Sequence, residues 1–450
     1  MTALLRFLPL LLLLPPHPLA SQTPLPARDT RKLQELVEYN PVFAGGHTGF
    51  ALYDVASRTY LYGYNADRLF VPASNVKLVT FYAAHRSLGG RAPAVIYQRF
   101  QDHLEVWGTG YPLALHPQFE QYDELTPWLV AAGVPVTLQF PTGEQAVPRY
   151  GAGWSWDDYN YGSVYERSAL PLYGNRLFLD LAPPDSTGRR TLMGSPPIIA
   201  GSLRQDPDQR RRLIRSEAGN DFSVGPDFFR SRSFPIQRAL RLSPQLLANE
   251  LRASFPQMMV TPGDRPYPAR GTAQVLEASL PDTLYRRFLR QSDNFLAEQL
   301  VLMSATARYG SPNEETFLDY VQDTLLPTLG VERTRVADGS GLSRYSLLSP
   351  RHFTRIVMAL DQEVGRDRLL DLLPTGGVNG TLRRRFDGAA EPYVWAKTGS
   401  LSGVSCLSGL VRTRSGRWLA FSFLHNNFTG SRGAYAREME RTLGWVYENL

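Results

Sequence analysis

The sequence predicts an α+β protein: an antiparallel sheet flanked by helices, interrupted by a large β-rich insertion. Three observations predict it. Strand patterns occur at both ends of the chain, with two near the start and three near the end. Helical patterns lie beside each group. Between them the run 96–265 is rich in proline, glycine and aromatic residues, and its short β-like pieces alternate with loops.

The early strands are Gly49 to Val55 and Thr59 to Tyr64, joined at the turn-like Ala56-Ser57-Arg58. After Pro72, the stretch Ser74-Asn75-Val76-Lys77-Leu78-Val79 runs on to Ala84 with helical spacing, so Ser74 opens a helix. In the insertion, Gln98 to Val106 and Val136 to Phe140 read as strands. A helical pattern returns over Leu284 to Ala305, and another starts at a serine cap followed by Pro350 and reaches Leu360. The late strands are Tyr393 to Thr398, Ser405 to Thr413 and Trp418 to His425, and an amphipathic helix over Gly433 to Asn449 ends the chain. The expected division is a leader at 1–21, a first part of the sheet domain at 22–95, the insertion at 96–265, and the rest of the sheet domain at 266–450.

The chain has 450 residues, of which 43% are hydrophobic, enough for a large core and for more than one domain. Its first 21 residues carry Arg6, a leucine-rich run over Phe7 to Leu14, and the small residues Ala20 and Ser21. This is the pattern of a cleaved secretory signal, since the apolar run is broken by Pro9, Pro15 and Pro16 and is too short to span a bilayer. No later stretch is long enough for that either, so no stable membrane insertion is expected. The reading is a protein exported across the inner membrane, periplasmic and soluble. Cys406 is the single cysteine, so no internal disulfide can form, and its apolar surroundings suggest a buried, inert thiol. The net charge of +6 comes from scattered arginines, and the densest cluster, Arg210 to Arg212, lies among acids and prolines. That is a solvated surface and no sign of nucleic-acid binding, while a mild positive balance suits an anionic wall polymer.

Lysine usage is the sharpest signal. Three of the 48 basic residues are lysines, Lys32, Lys77 and Lys397, which leaves 45 arginines. Arginine stays protonated, whereas a desolvated lysine can lose its proton and act as a base. Lys32 lies in the polar lead-in and reads as a surface residue. Lys77 follows Ser74 by three positions, so on a helix the two share a face and can touch. A serine hydroxyl needs such a base to become a nucleophile, and a helix start adds backbone donors that can hold an oxyanion. Ser292-Asp293-Asn294 brings a second hydroxyl and an amide on or at the edge of a predicted helix, where these residue types also serve as caps. Lys397-Thr398-Gly399-Ser400 ends a strand with a cation and a hydroxyl suited to a carboxylate, and a glycine that permits close approach of a substrate backbone.

Ser74-x-x-Lys77, Ser292-Asp293-Asn294 and Lys397-Thr398-Gly399 resemble, in order, the three motifs of the penicillin-binding proteins and serine β-lactamases. The interval of 218 positions from Ser74 to Ser292 narrows the likeness to D-alanyl-D-alanine carboxypeptidases and endopeptidases of the penicillin-binding protein 4 type, which insert extra domains there. Phe70 to Asn75, Asp338 to Ser343, Leu373-Pro374 and Gly377 to Leu382 extend the likeness over nearly the whole chain. It implies a β-lactamase/transpeptidase-like fold and an enzyme acting on peptidoglycan stem peptides, with β-lactam antibiotics as covalent inhibitors and neither cofactor nor metal. On the same likeness Ser74 is acylated, Lys77 takes its proton, and Ser292 with Asn294 relays protons and orients lysine and substrate. Lys397 and Thr398 bind the terminal carboxylate beside Gly399, and the N–H groups of Ser74 and Ser400 form the oxyanion hole.

The histidines and serines offer no Gly-x-Ser-x-Gly elbow and no His-Glu-x-x-His pair, which argues against a Ser-His-Asp hydrolase and a zinc peptidase. The remaining alternatives are a β-lactamase or esterase of the same fold, for which Tyr173-Gly174-Asn175 imitates the second motif, and a catalytically weak penicillin-binding sensor. Trp154, Trp156, Tyr159 and Tyr161 read as the packed core of a small domain rather than as a sugar platform, and are left outside the site.

Overall fold

The structure, a computed structural model, describes residues 25–450 except 189–191, 197–202, 210–211 and 229–234. The expected leader at 1–21 and Arg210 and Arg211 lie outside the described residues, and Arg212 is exposed.

Alternating apolar residues at the two chain ends build one antiparallel sheet. Its order is β8 (Val394–Leu401), β9 (Val404–Arg412), β10 (Trp418–Asn426), β1 (His47–Asp54) and β2 (Thr59–Tyr64). In β9 and β10 nearly every residue is buried, because helices cover both faces. On one face α1 (Ala27–Val37) and α6 (Arg432–Asn449) bring Leu33, Leu36, Met439 and Leu443 onto Phe50, Leu407, Phe421 and Phe423. On the other, Cys406, Leu410, Ala420 and Leu424 join the larger core with Phe353, Ile356 and Val357 of α5 (Pro350–Val364). Burial pushes the Cys406 thiol up to about 12, as expected of an inert core cysteine.

Two helices run through that larger core. In α2 (Val76–Ser87) every residue from Val76 to Ala84 is buried, and in α4 (Asn294–Tyr309) every residue from Asn294 to Thr306. Helices apolar all round belong inside a protein, and a polar side chain on one of them must be held there by partners.

The helical pattern over Leu284 to Ala305 is two helices, α3 (Asp282–Arg290) and α4, broken at Gln291-Ser292-Asp293. Ser292 has φ 57°, outside the helical region, and the Asp293 carboxylate caps α4 by accepting from the Leu296 N–H. Apolar spacing continues across the break, so periodicity alone cannot show it. Ser74 likewise stands two residues before its helix, in the 3-10 turn Ala73–Asn75 that feeds α2, with Ala73 at φ 48°.

A second, mixed sheet has the order β6 (Val260–Gly263), β5 (Val136–Gln139), β4 (Leu104–Gly108), β3 (Arg91–Arg99) and β7 (Gln274–Ser279). The stretch read as one strand over Gln98 to Val106 is the end of β3, the hairpin turn and the start of β4. In this sheet β3 crosses and β7 lies beyond the bounds expected of an insertion at 96–265, and two three-stranded sheets lie inside that stretch. One joins Ile236–Ala239, Arg176–Leu181 and Leu192–Ser195, and the other joins Arg204–Gln205, Phe222–Val224 and Leu213–Arg215.

The segment before Ser74 is clamped to the sheet by one side chain. The Asn426 Oδ1 accepts from the Val71 N–H at 2.7 Å and its Nδ2 donates to the Val71 carbonyl at 3.0 Å, so an amide closes the ladder that no strand reaches. Asn426→Ala leaves the Val71 N–H without a protein partner and its carbonyl with the Cys406 thiol alone, and the expected loss is about 1–3 kcal/mol, to be read from chemical denaturation curves of the two proteins.

Candidate active site

The site forms where α2, α4 and β8 meet. Lys77 is fully buried, and its Nζ donates to Ser74 Oγ at 3.1 Å, to Asn294 Oδ1 at 2.5 Å and to the Ser340 carbonyl at 2.6 Å. Three acceptors match the three donors of an ammonium. Once deprotonated, the amine keeps two donors for Asn294 and Ser340, and its lone pair faces the Ser74 hydroxyl. Burial pushes Lys77 down to about 8, against the opposing pull of Asp338, Glu298 and Asp293. Ser74 is half-buried and open to a ligand.

Lys397 is also fully buried and donates to Ser292 Oγ and to the Thr398 carbonyl, both at 2.8 Å. Burial first, and then the neighbouring Lys77, hold it well below the ordinary lysine range. The structure therefore joins Ser292 to the strand lysine and Asn294 to the helix lysine. The left-handed backbone at Ser292 lets both side chains reach one site, since on a continuous helix residues two apart do not face one another. The Thr398 hydroxyl donates to Thr381 Oγ1 at 2.8 Å, and Ser400 is exposed at the same end of β8.

Gly399 lies where a Cβ would come within 2.6 Å of the Pro72 carbonyl and 3.1 Å of the Asn75 N–H. The close approach it permits is to the protein's own turn at residues 73–75 rather than to a substrate backbone. Asn75 ties this turn to the sheet by donating to Ser408 Oγ at 2.7 Å. Gly341 (φ 80°) packs as tightly, for a Cβ there would meet the Ala73 carbonyl at 2.0 Å. The turn that carries Ser74 is thus held between two backbone segments that tolerate only glycine.

The insertion supplies supports that the motifs do not reveal. The Ser163 carbonyl accepts from Asn294 Nδ2 at 2.8 Å and so sets which end of the amide meets Lys77. Trp154 Nε1 donates to Asp338 Oδ2 at 2.9 Å, and Asp338 also accepts from the Ser340 hydroxyl and the Gly341 and Ser343 N–H groups. These bonds shape the loop whose Ser340 carbonyl receives Lys77. The aromatic run is therefore no packed core: Trp154 braces the site, while Trp156 and Tyr161 are 76% and 63% exposed. Tyr173-Gly174-Asn175 is a buried turn in which Asn175 donates to the Glu166 carbonyl, so it does not serve as a second motif. Its neighbour Arg176 reaches Asp293, at 2.5 Å.

Asp293 is wholly buried between Arg176 and Arg287, the latter at 2.8 Å. Burial alone would raise its carboxyl, and the two guanidinium groups overcome this and hold it below the usual carboxylate range.

Residues 30–444 match the model of the D-Ala-D-Ala carboxypeptidase 3 (S13) family. Among curated proteins, D-alanyl-D-alanine carboxypeptidase DacB of Haemophilus influenzae is 28% identical over 207 residues, covering 44% of this chain and 43% of that protein. Carboxypeptidase DacB of Mycolicibacterium smegmatis is 34% identical over 164 residues, covering 34% and 35%. The matched stretch thus spans less than half the length of either relative. Among solved structures, penicillin binding protein 4 (dacB) from Haemophilus influenzae superposes with a TM-score of 0.70 at 19% identity, over 93% of this chain and 99% of that one, which shows the shared fold.

Asp293→Asn keeps the cap but removes the charge between two buried guanidinium groups, and about 3–5 kcal/mol of stability is expected to go with it. The pH dependence follows from the depressed carboxyl. Its contribution is complete above the unfolded-state range near pH 4 and fades as pH falls further. Acid denaturation of the wild type should therefore be steeper below about pH 4 than that of the Asn variant, as followed by circular dichroism.

Proposed function

This chain belongs to the D-Ala-D-Ala carboxypeptidase 3 (S13) family, and from that premise we propose a serine-type D-Ala-D-Ala peptidase, penicillin-binding, that acts on peptidoglycan stem peptides through an acyl-enzyme at Ser74. The observation that carries the reading is the pair formed by half-buried Ser74 and fully buried Lys77, 3.1 Å apart, in a setting that brings the amine close to neutrality at physiological pH. Lys77 takes the Ser74 proton as the hydroxyl oxygen attacks the carbonyl of the bond between two D-alanines. The oxyanion is received by the N–H groups of Ser74 and Ser400. D-Alanine departs with a proton returned through the Lys77 and Ser292 side, and water then hydrolyses the ester.

Lys397 and Thr398 receive the terminal carboxylate. A buried lysine with neutral hydrogen-bond partners and a second lysine nearby gains most from an arriving anion, which supports this role. β-Lactams would be covalent inhibitors, because their ring amide reaches the same serine and their carboxylate the same lysine. One relative supports this chemistry in its own case: penicillin binding protein 4 of Haemophilus influenzae was solved in complex with a novel β-lactam. Export and a periplasmic place suit a wall substrate and the leader pattern at residues 1–21, and no helix among the described residues is long and apolar enough to cross a membrane.

A fluorescent penicillin should label the wild type and leave Ser74→Ala unlabelled. Absence of label on folded wild type would sink the mechanism. Lys77→Ala should slow acylation by about 10²–10⁴-fold. The base works unprotonated, so the acylation rate of the wild type should rise with pH through about 8. D-Alanine release from a pentapeptide should exceed turnover of a chromogenic cephalosporin, and fast loss of the drug alone would point to a β-lactamase instead.

A further inference from the structure

Glu298 sits on α4 one turn beyond Asn294, with 1% of its surface exposed, and plays no part in the chemistry described so far. Neither of its carboxylate oxygens accepts a hydrogen bond. Its nearest cation is Arg167, at 3.5 Å, and that guanidinium is engaged more closely by Glu314 and also donates to the carbonyls of Pro148 and Tyr150. The Ser340 hydroxyl lies beside Glu298 but donates to Asp338. A buried carboxylate without donors is expensive unless a charge elsewhere repays it. Asp338 cannot do so, being a hydrogen-bonded anion in its own right.

The charged groups that face Glu298 come from every element around it. Lys77 is on α2, Asp338 is on the loop before Ser340, Arg167 comes from the insertion, and Glu314 stands behind Arg167. Asp293 is on its own helix and is already matched by two arginines. Three carboxylates, those of Glu298, Asp338 and Glu314, therefore share one arginine and one titrating lysine. We propose that Glu298 is a positioning residue for acylation: its carboxylate is the countercharge of the Lys77 ammonium that forms when Ser74 gives up its proton.

Atoms balance without any co-reactant, since the only transfer is from Ser74 Oγ to Lys77 Nζ. Glu298 holds no substrate and donates nothing. It makes the ammonium less costly at the moment it appears, an effect absent while Lys77 is neutral, so the contribution falls on the step rather than on binding. Burial, together with the nearby Asp338, pushes the Glu298 carboxyl from its ordinary range near 4.5 up to about 7, close to the point at which Lys77 itself loses its proton.

The inference rests on the acylation reading, and two measurements on the full chain separate their fates. The first is the pH profile of penicillin acylation for wild type and Glu298→Gln. Removing the negative charge makes Lys77 easier to deprotonate, so the acid limb should move to lower pH by roughly one unit. Limbs that coincide in two folded, labelled proteins would overturn the role of Glu298 and leave the Ser74 mechanism standing, whereas absence of label in the wild type would remove that mechanism. The second is thermal unfolding against pH, which needs no activity. A carboxyl raised in the folded state binds more protons folded than unfolded between 4.5 and about 7, so stability falls as pH rises through that window. The melting temperature of the wild type should decline relative to that of Glu298→Gln across the window. Parallel curves across the window, together with an acid limb that does not move, would overturn the proposal.

Discussion

The burial of one amine governs this structure. Lys77 is placed where water cannot solvate it, on a helix surrounded by core, and it is kept there by acceptors from three separate parts of the chain: Ser74 on its own turn, Asn294 at the start of α4, and the Ser340 carbonyl in the following loop. Each acceptor is aimed by something else. Asn294 is oriented by the Ser163 carbonyl, Ser340 by the Asp338 loop, and Ser74 by a turn wedged between Gly341 and Gly399. An unpaired ammonium at this depth would cost several kcal/mol or simply shed its proton. Fixing the lysine therefore requires that the helix, the loop and the insertion all be in place together.

This dependence gives the insertion a physical role beyond length. It reaches the site through Trp154 on Asp338, Ser163 on Asn294, Arg167 near Glu298 and Arg176 on Asp293. None of these groups touches Ser74. They act on Asn294, which touches Lys77, on the helix that carries it, or on the loop whose Ser340 carbonyl receives Lys77. Arginine suits these positions because its planar fork can satisfy a carboxylate and a carbonyl at once and does not give up its proton when buried. The near-absence of lysine from the sequence matches that use: apart from Lys32, at the surface and paired with Glu35, lysine stands only at the two buried positions where the proton can leave.

The main sheet, its helices and the three motifs were legible because they are written in local patterns: alternation in the strands, spacing in the helices, and rare residues at fixed intervals. Strand ends and helix starts fell within a few residues of their expected places. The break at Ser292 was not legible, since the apolar residues on its two sides keep helical spacing across it and only the backbone at φ 57° reveals the turn. Nor was the work of Trp154, whose partner Asp338 lies 184 positions away, or of Glu298, which reads as one more acid on a helix. The aromatic run looked like core because core is where aromatics commonly go, and sequence cannot tell an indole that packs from one whose N–H is spent on a distant carboxylate. Gly399 was recognised as a close approach, but what approaches it is the chain itself.

The two buried lysines explain why the site is poised rather than merely assembled. They are like charges in a region of low polarisability, so each makes the other harder to protonate, and Lys397 has only the Ser292 hydroxyl and the Thr398 carbonyl to offset its charge. An anion reaching Thr398 would stabilise the charged form of Lys397. A charged Lys397 would in turn favour the neutral, basic form of Lys77. Coupling of this kind is reciprocal, so whatever makes Lys77 neutral also strengthens the hold on the anion. A carboxylate at one end of the bond to be cut would thereby prepare the base at the other, and an acid such as Glu298 is what keeps the resulting ammonium from being too costly once the proton has moved.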